Sequence, residues 1–258
     1  RLDQLSLDGS LELIKKRFNT EAVPTGLVQL IGDRAEGNPL FAEEIINYLL
    51  EKGQIENGET GLIFHESSGA DLPVTIENLL MDRVDRMTPG ARSILEAAAV
   101  IGMAFSEDLI ASVTGIDGGA LGHLEEMQDK DLVVFDPSQN SYRIKHALVR
   151  EAVYKSILGS TREKLHENIA GFLEVSGSEI DGDLTNILAW HYGQTSNDGK
   201  AVRFMARAGE QSLMVYSLAE AESHFRDAIQ RIERSPGCVD DTELLDILLH
   251  LSRVLYFR

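Results

Sequence analysis

The stretch that decides the fold is residues 132–151, LVVFDPSQNSYRIKHALVRE. Two short apolar runs, residues 132–135 and 142–144, flank the turn-forming residues 136–140. Apolar runs separated by Asp, Pro, Ser and Asn predict an antiparallel pair of strands. The second run leads through His146 into apolar residues at helical spacing. We therefore expect a small β-hairpin followed at once by a helix.

Helical spacing of apolar residues dominates the chain on both sides of this hairpin. Before it, helices are predicted over residues 10–18, 26–35, 39–52, 76–87, 89–101, 106–114 and 121–129. Pro39 fits the first turn of its helix, and Thr75 is a predicted N-cap. Residues 54–71 are rich in Gly, Glu and Ser, and we expect a loop with one small strand at residues 62–64.

Helices followed by a strand pair are typical of a winged-helix domain, which we predict over residues 72–160. Such domains often bind DNA through the helix that precedes the wing. Here that helix carries Glu125, Glu126 and Asp129 against Lys130. Because an acidic face repels DNA phosphates, direct DNA binding is disfavoured and packing against a neighbouring domain is expected.

The rest of the chain, residues 161–258, is predicted to form helical repeats of the tetratricopeptide (TPR) type. Gly209, Ala221, Phe225 and Ala228 match the small and aromatic positions of that 34-residue repeat. Met205 stands where the repeat usually has Trp. Since one repeat cannot bury its own apolar face, we expect further repeats beyond residue 258.

Composition narrows the functional class. The 258 residues include 42 acidic and 24 basic ones, for a formal net charge of −18, which disfavours generic binding to nucleic acid or anionic lipid. Cys238 is the only cysteine, which fits a reducing cytoplasm. No apolar run approaches the ~20 residues of a membrane span. The first residues, RLDQ, form no signal peptide, and both ends look cut from a longer protein.

No catalytic or metal site is predicted. Residues 193–201, GQTSNDGKA, resemble a phosphate-binding loop but have five residues between the glycines and Ala201 in place of a hydroxyl residue. We interpret them as a solvated turn between helices. The seven histidines form no H-E-x-x-H motif, and six of them are expected to be ordinary surface or packing residues.

Four stretches carry a family resemblance: residues 37–44 (GNPLFAEE), 72–87 (LPVTIENLLMDRVDRM), 97–105 (AAAVIGMAF) and 142–154 (YRIKHALVREAVY). Together they resemble the C-terminal half of the nucleotide-switch module of STAND-class signalling ATPases. The version they resemble is found beside class III adenylate/guanylate cyclase domains and in maltose-regulator-type transcription activators. The resemblance implies a mainly α fold: a helical lid over residues 1–71 that follows an absent P-loop domain, a winged helix over 72–160, and truncated TPR-like repeats over 161–258.

The resemblance also implies nucleotide-contacting residues. In that family a Gly-x-Pro element lies beside the adenine base, which falls here on Gly37, Pro39 and Leu40. A histidine before the last winged-helix helix contacts the ADP phosphate, which falls on His146. The structural alternatives are a plain loop-to-helix start for the first element and a capping or packing role for His146. The family's P-loop and its Mg²⁺-binding acidic strand are not in these residues, so autonomous ATP binding or hydrolysis is not expected.

The sequence thus predicts a regulatory fragment of a cytoplasmic signal-transduction ATPase. ATP, ADP and Mg²⁺ are expected cofactors of the full-length protein. The expected partners are the P-loop domain, an effector domain of the same chain (an adenylate/guanylate cyclase by resemblance) and a protein or peptide on the repeats. Two alternatives stay open: part of an ATP-dependent transcription activator, and a nucleotide-independent interaction scaffold.

Overall fold

The structure is a computed structural model that describes residues 6–58, 61–65, 72–73, 75–116, 119–176 and 182–257. Within these ranges the chain forms thirteen helices and two small antiparallel sheets. The prediction of a mainly α fold with a small hairpin and helical repeats is therefore confirmed. The chain divides into two compact units, Arg1–Thr88 and Pro89–Arg258.

The first unit is helical with one hairpin. Its elements are α1 (Leu7–Phe18), α2 (Thr25–Ala35), α3 (Pro39–Glu51), β1 (Ile55–Gly58), β2 (Gly61–Phe64) and α4 (Ile76–Asp85). Side chains of Ser6, Asn38 and Thr75 accept hydrogen bonds from backbone N–H groups in the first turns of α1, α3 and α4. These caps set where the helices begin, because the first N–H groups of a helix have no partner within it.

The expectation of a single strand after α3 was incomplete. β1 pairs with β2 in antiparallel register, with Ile55 opposite Phe64 and Glu56 opposite Ile63. The sequence pattern did not predict β1, because the strand is mostly polar and only its Ile55 is buried. The remainder of the predicted loop, residues 59–60 and 66–71, lies outside the described residues.

One apolar core holds the first unit together. It includes Ile14, Leu27, Ile31 and Leu49, all fully buried, and also Leu79 of α4. The contacts in this structure thus place α4 with the helices that precede it. The domain boundary predicted at residues 71/72 stays a prediction.

The second unit begins with the elements predicted around the hairpin. They are α5 (Pro89–Ile101), β3 (Ala104–Phe105), α6 (Glu107–Thr114), α7 (Ala120–Asp129), β4 (Val133–Asp136), β5 (Ser141–Ile144) and α8 (Ala147–Ser156). The predicted strands are β4 and β5, which pair with Val133 opposite Ile144. β3 adds a third strand on the other side of β5. Two residues are too few for a sequence pattern, so this strand was not predicted.

Helix α5 is the centre of this part of the unit. It packs against α6, α7, α8 and α9. Ala97, Ala98, Ala99 and Val100 are fully buried, so the helix is enclosed on every side at these positions. Small side chains let the surrounding helices approach closely, which explains the alanine-rich stretch at residues 97–100.

Five further helices complete the second unit: α9 (Gly159–Ser176), α10 (Gly182–Gly193), α11 (Asp198–Met214), α12 (Leu218–Arg234) and α13 (Asp241–Phe257). Helix α11 packs against α12 in a TPR-like pair. A Cβ atom built on Gly209 would lie 2.7 Å from Cζ of Phe225, which explains the glycine. Ala221 and Ala228 of the same helix as Phe225 are also fully buried.

The repeat length differs from the predicted 34 residues. Helix α11 begins at Asp198 and α13 at Asp241, 43 residues later. The helices are longer than those of the short repeat, at 17 residues each, and a loop over residues 235–240 separates α12 from α13.

Candidate functional site

The first predicted nucleotide contact, Gly37 with Pro39 and Leu40, lies at the corner between α2 and α3. Glu36 and Gly37 both have positive φ, 47° and 79°, and this left-handed pair reverses the chain after α2. Oδ1 of Asn38 accepts hydrogen bonds from the N–H groups of Leu40 (3.1 Å) and Phe41 (3.4 Å). Pro39 follows as the first residue of α3. The corner is therefore fixed by backbone geometry.

This corner presents its apolar groups outward. Pro39 is exposed, and Gly37 and Leu40 are half-buried. From Ala42 onward the helix turns its apolar side chains into the core. Since Asn38 already satisfies the first N–H groups of α3, the exposed ring of Pro39 is the group that this corner offers for an apolar contact.

The second predicted contact, His146, lies at the junction of β5 and α8 in the second unit. It is the N-cap residue of α8, with φ −130° and ψ 133°, and its carbonyl oxygen accepts from Val149 N–H at 3.0 Å. Its half-buried side chain makes no capping hydrogen bond. His146 thus occupies the cap position through its backbone, without a cap hydrogen bond from its imidazole, and a packing role for the imidazole stays an alternative.

The backbone holds His146 from both sides. The preceding Lys145 donates its N–H to the carbonyl oxygen of Leu132 (2.9 Å), and its side chain pairs with Asp131. The structure thus brings Gly37, Pro39 and Leu40 together at one corner of the first unit, and fixes His146 at a helix start in the second.

A buried ion pair in the first unit was not predicted. Arg83 Nη1 donates to Glu44 Oε2, and the two side chains are only 2% and 3% exposed. Nε of Arg83 is buried without a hydrogen-bond partner, 3.8 Å from Oε1 of Glu51. The pair joins α3 to α4, and so joins two of the stretches that carry the family resemblance.

The sequence does contain a signal for this pair. Glu44 directly precedes Ile45 and Ile46 on the core side of α3, and Arg83 directly precedes Val84 on the core side of α4. A charged residue on an apolar helix face is rarely buried unless it has a partner. The pattern does not identify the partner of either charge, because the two residues are 39 positions apart in the sequence.

A buried histidine pair in the second unit was also missed. His166 and His191 are almost completely buried, and their Nδ1 atoms are 2.9 Å apart. Nε2 of His166 is 3.1 Å from the hydroxyl oxygen of Tyr154. The ring of Trp190 lies edge-on to both imidazoles, with centroid distances of 4.9 and 4.6 Å. Their burial agrees with the packing role expected for six of the seven histidines, but their mutual hydrogen bond was not predicted.

Burial keeps this pair neutral. Burial first, and then the positive charges of Arg162 and Arg150, lower the pKa of His166 to about 4. Burial, followed by repulsion from His166 when that ring is protonated and from Arg150, lowers the pKa of His191 to about 3. In a neutral pair one Nδ1 donates and the other accepts, so the rings form a defined hydrogen bond. Through Tyr154 the pair joins α8 to α9 and α10.

The segment that resembles a phosphate-binding loop is a turn between α10 and α11. The guanidinium of Arg231 donates to the carbonyl oxygens of Gly193 (2.6 Å) and Thr195 (2.9 Å) and to Asp198 (3.0 Å). Thr195 is buried. The turn is therefore anchored by α12 and is less solvated than the sequence suggested.

The described residues form neither a membrane-spanning helix nor a metal-binding cluster. No described helix combines the length and apolar character needed to cross a bilayer. No group of three or more His, Cys, Asp or Glu side chains in the described ranges is arranged to hold a metal ion.

Comparison with known proteins gives limited matches. A family model described as a domain of unknown function (DUF8739) matches residues 6–60. No curated protein matches. One similar solved structure is a Signal Transduction ATPase with Numerous Domains (STAND) protein with a tetratricopeptide repeat sensor from Pyrococcus horikoshii, with 10% identity and a TM-score of 0.48. The match covers the whole of this chain and 45% of that protein, so the chain spans about half its length.

Proposed function

We propose that the chain is the regulatory part of a STAND-type signal-transduction ATPase. In this proposal a P-loop domain outside the 258 residues binds an adenine nucleotide and its Mg²⁺. Gly37, Pro39 and Leu40 contact the base, and His146 contacts the phosphate. The proposal rests on the sequence resemblance of four stretches and on the local geometry of these two places.

The observation that carries the proposal is the imidazole of His146 at the start of α8. A helix N-terminus favours anions because its first N–H groups point outward without intrahelical partners. A half-buried imidazole that takes no part in capping is able to donate a hydrogen bond to a phosphate oxygen at that place. ATP and ADP differ only at the phosphate end, so a contact that distinguishes them must lie there.

The corner at Pro39 complements this contact. The backbone of this corner is fixed and its proline ring is exposed. Such a ring suits the flat apolar face of a purine, because that face carries no charge that would need a partner. Such a contact would be the same for ATP and ADP and would add affinity without discrimination. In the proposed switch, the contact of Pro39 with the base holds the nucleotide, and the contact of His146 with the phosphates distinguishes ATP from ADP.

The effector is a further part of the proposal. We propose that the nucleotide state controls an adenylate/guanylate cyclase domain of the same polypeptide, by way of the helical repeats. A DNA-binding output domain is the alternative, as in transcription activators. A scaffold that binds a protein on its repeats without nucleotide is the other alternative.

One experiment tests the phosphate contact. In the full-length parent protein, His146→Ala should lower the amount of ADP that co-purifies, measured after denaturation by chromatography. His224→Ala is the matched control, because this histidine lies on α12 in the repeats. Equal ADP occupancy in both variants and the parent would exclude the assigned role of His146.

A second test uses the gene itself. We expect the reading frame upstream of residue 1 to encode G-x-x-x-x-G-K-S/T, the loop that cradles nucleotide phosphates. An upstream frame without that loop contradicts the proposal. A cyclase domain or a basic DNA-binding domain elsewhere in the frame decides the effector, and nucleotide-independent partner capture by the parent favours the scaffold.

A further inference from the structure

Helix α13 is apolar on two faces. Leu244, Ile247, Leu251 and Val254 pack into the core that it shares with α12. A second stripe is exposed: Leu245 (55%), Leu248 (44%), Leu249 (58%) and Tyr256 (84%). A helix at the surface of a globular protein normally has one apolar face and one polar face. The second stripe therefore calls for an explanation.

Helices α11 and α13 occupy equivalent places in the repeat. Both have 17 residues, and their starts are 43 positions apart. Oδ1 of Asn197 accepts from the N–H of Lys200 (3.3 Å), and Oδ1 of Asp240 accepts from the N–H of Glu243 (2.8 Å). The same cap thus recurs at the same offset, which fixes the register between the two helices.

The inner faces agree with this register. Each helix packs against the helix before it, α11 against α10 and α13 against α12. The residues that do so on α11 include Ala201, Phe204 and Ala208. At the offset of 43 these positions become Leu244, Ile247 and Leu251, which belong to the core shared with α12.

The outer faces show the difference. On α11 the core formed with α12 and α13 contains Val202, Met205, Ala206 and Leu213. At the same offset these positions become Leu245, Leu248, Leu249 and Tyr256. They are the four members of the exposed stripe. The stripe is therefore the part of α13 that corresponds to the α12-contacting face of α11.

We propose that this stripe is a docking surface for a helix of the α12 type, which runs antiparallel to α13 and is joined to it by a short turn. The α11–α12 contact supplies the template, and the stripe continues that established interface by one more unit. The inference is independent of nucleotide and concerns only the helical repeats.

The occupant differs from α12 at one position. Phe225 sits against Gly209, where an added Cβ atom would lie 2.7 Å from the ring. The residue of α13 that corresponds to Gly209 is Ser252, which has a Cβ atom and a hydroxyl group. A phenylalanine cannot approach Ser252 as Phe225 approaches Gly209. The occupant therefore has a smaller side chain, such as leucine, at the place of Phe225.

A second copy of the chain is the competing occupant. Its net charge of −18 opposes self-association, since two copies repel each other. The helix of the repeat array is therefore favoured, and self-association becomes one outcome of the test.

The test extends the chain after Arg258 with a second copy of residues 216–235, which contain α12. The copy has leucine at the place of Phe225. We expect amide hydrogen exchange in α13 to slow at least tenfold relative to the unextended chain. A copy with glutamate at the places of Ala221 and Phe225 is the control and should leave exchange unchanged. Equal exchange in the leucine copy and the unextended chain would overturn the proposal.

Variants of the stripe complete the test. Leu248→Glu should leave the unfolding midpoint of the unextended chain unchanged and should abolish the protection given by the leucine copy. A dimer of the unextended chain in sedimentation, dissociated by Leu248→Glu, would assign the stripe to a second copy and refute the proposal. With Ser252→Gly in α13, the copy that keeps the original phenylalanine should protect α13 as well as the leucine copy does. If both copies protect α13 equally while Ser252 is present, the size restriction is refuted.

Discussion

Acid should destabilise the second unit through its buried histidine pair. His166 and His191 are neutral in the folded chain, with pKa values of about 4 and 3. In the unfolded chain each has the ordinary value of about 6.5. Between pH 6.5 and 4 the unfolded state thus binds more protons than the folded state, and stability falls as the pH falls. The effect of the pair on the pH dependence fades as the pH rises above 6.5 and vanishes near pH 8, where the unfolded histidines are neutral as well.

The size of the effect follows from these values. At pH 5 an unfolded histidine is almost fully protonated, whereas the folded pair binds hardly any proton. Linkage gives a loss of about 2 kcal/mol for each histidine between pH 8 and pH 5, and about 4 kcal/mol for the pair. Since domains have stabilities of about 5–15 kcal/mol, this loss is a large fraction of the total.

Trp190 makes the effect measurable. It is the only tryptophan of the chain, and it lies against both imidazoles. Urea unfolding followed by its fluorescence therefore reports on this region of the second unit. We expect the unfolding midpoint to fall from pH 8 to pH 5, with most of the fall below pH 6.5. The fluorescence of the folded chain should stay constant to pH 5, because the folded pair stays neutral.

His191→Asn separates the pair from other titrating groups. Asparagine keeps a polar atom near the position of Nδ1 but does not titrate, so this variant should lose only about half as much stability as the parent. His224→Asn, on α12, should behave like the parent. The reasoning is refuted if His191→Asn loses as much stability between pH 8 and 5 as the parent does.

Three further changes test the packing of the two units by urea unfolding. Gly209→Ala should destabilise the second unit by about 1–3 kcal/mol, because the added methyl group meets the ring of Phe225. Arg83→Met should destabilise the first unit by about 3–5 kcal/mol, because it leaves Glu44 buried without its partner. Asn38→Ala should cost the first unit about 1 kcal/mol, because α3 loses its cap.

Each change has a matched control in the same chain. Gly171→Ala, in α9, should not destabilise, since no described atom beyond its own helix lies within 4 Å of the added Cβ. Arg86→Met should cost less than Arg83→Met, because the Arg86 side chain is one-third exposed. Asn78→Ala, inside α4, removes no cap. A control that matches its test variant in unfolding midpoint would contradict the assigned cause.

Local features of the fold could be predicted from the sequence. The helices, the cap at Thr75, the helix starts at Pro39 and Ser106, and the β4–β5 hairpin depend on neighbouring residues, so periodicity and turn residues reveal them. The small and aromatic positions at Gly209 and Phe225 were visible for the same reason, although the repeat length was not. The location of His146 at a helix start was predicted as well.

Long-range polar contacts could not be predicted. The members of the Glu44–Arg83 pair are 39 positions apart, and those of the histidine pair 25. Nothing in a single sequence says which distant helices meet, so a buried charge or imidazole shows that a partner exists without identifying it. The candidate nucleotide contacts came from family resemblance, and the residues that position them came only from the structure.

The positions of these pairs suggest how the candidate contacts are held. Glu44 lies five residues after Pro39 on α3, and Tyr154 lies eight residues after His146 on α8. Each helix that presents a candidate contact at its start is therefore fixed further along by a polar bond, which is buried for Glu44 and partly buried for Tyr154. Apolar packing tolerates small rotations and slides of a helix, whereas a buried hydrogen bond tolerates little displacement, since an unsatisfied polar group is costly. A force applied at Pro39 or His146 should thus move its whole helix and the neighbour bonded to it, which is the behaviour that a nucleotide-driven switch requires.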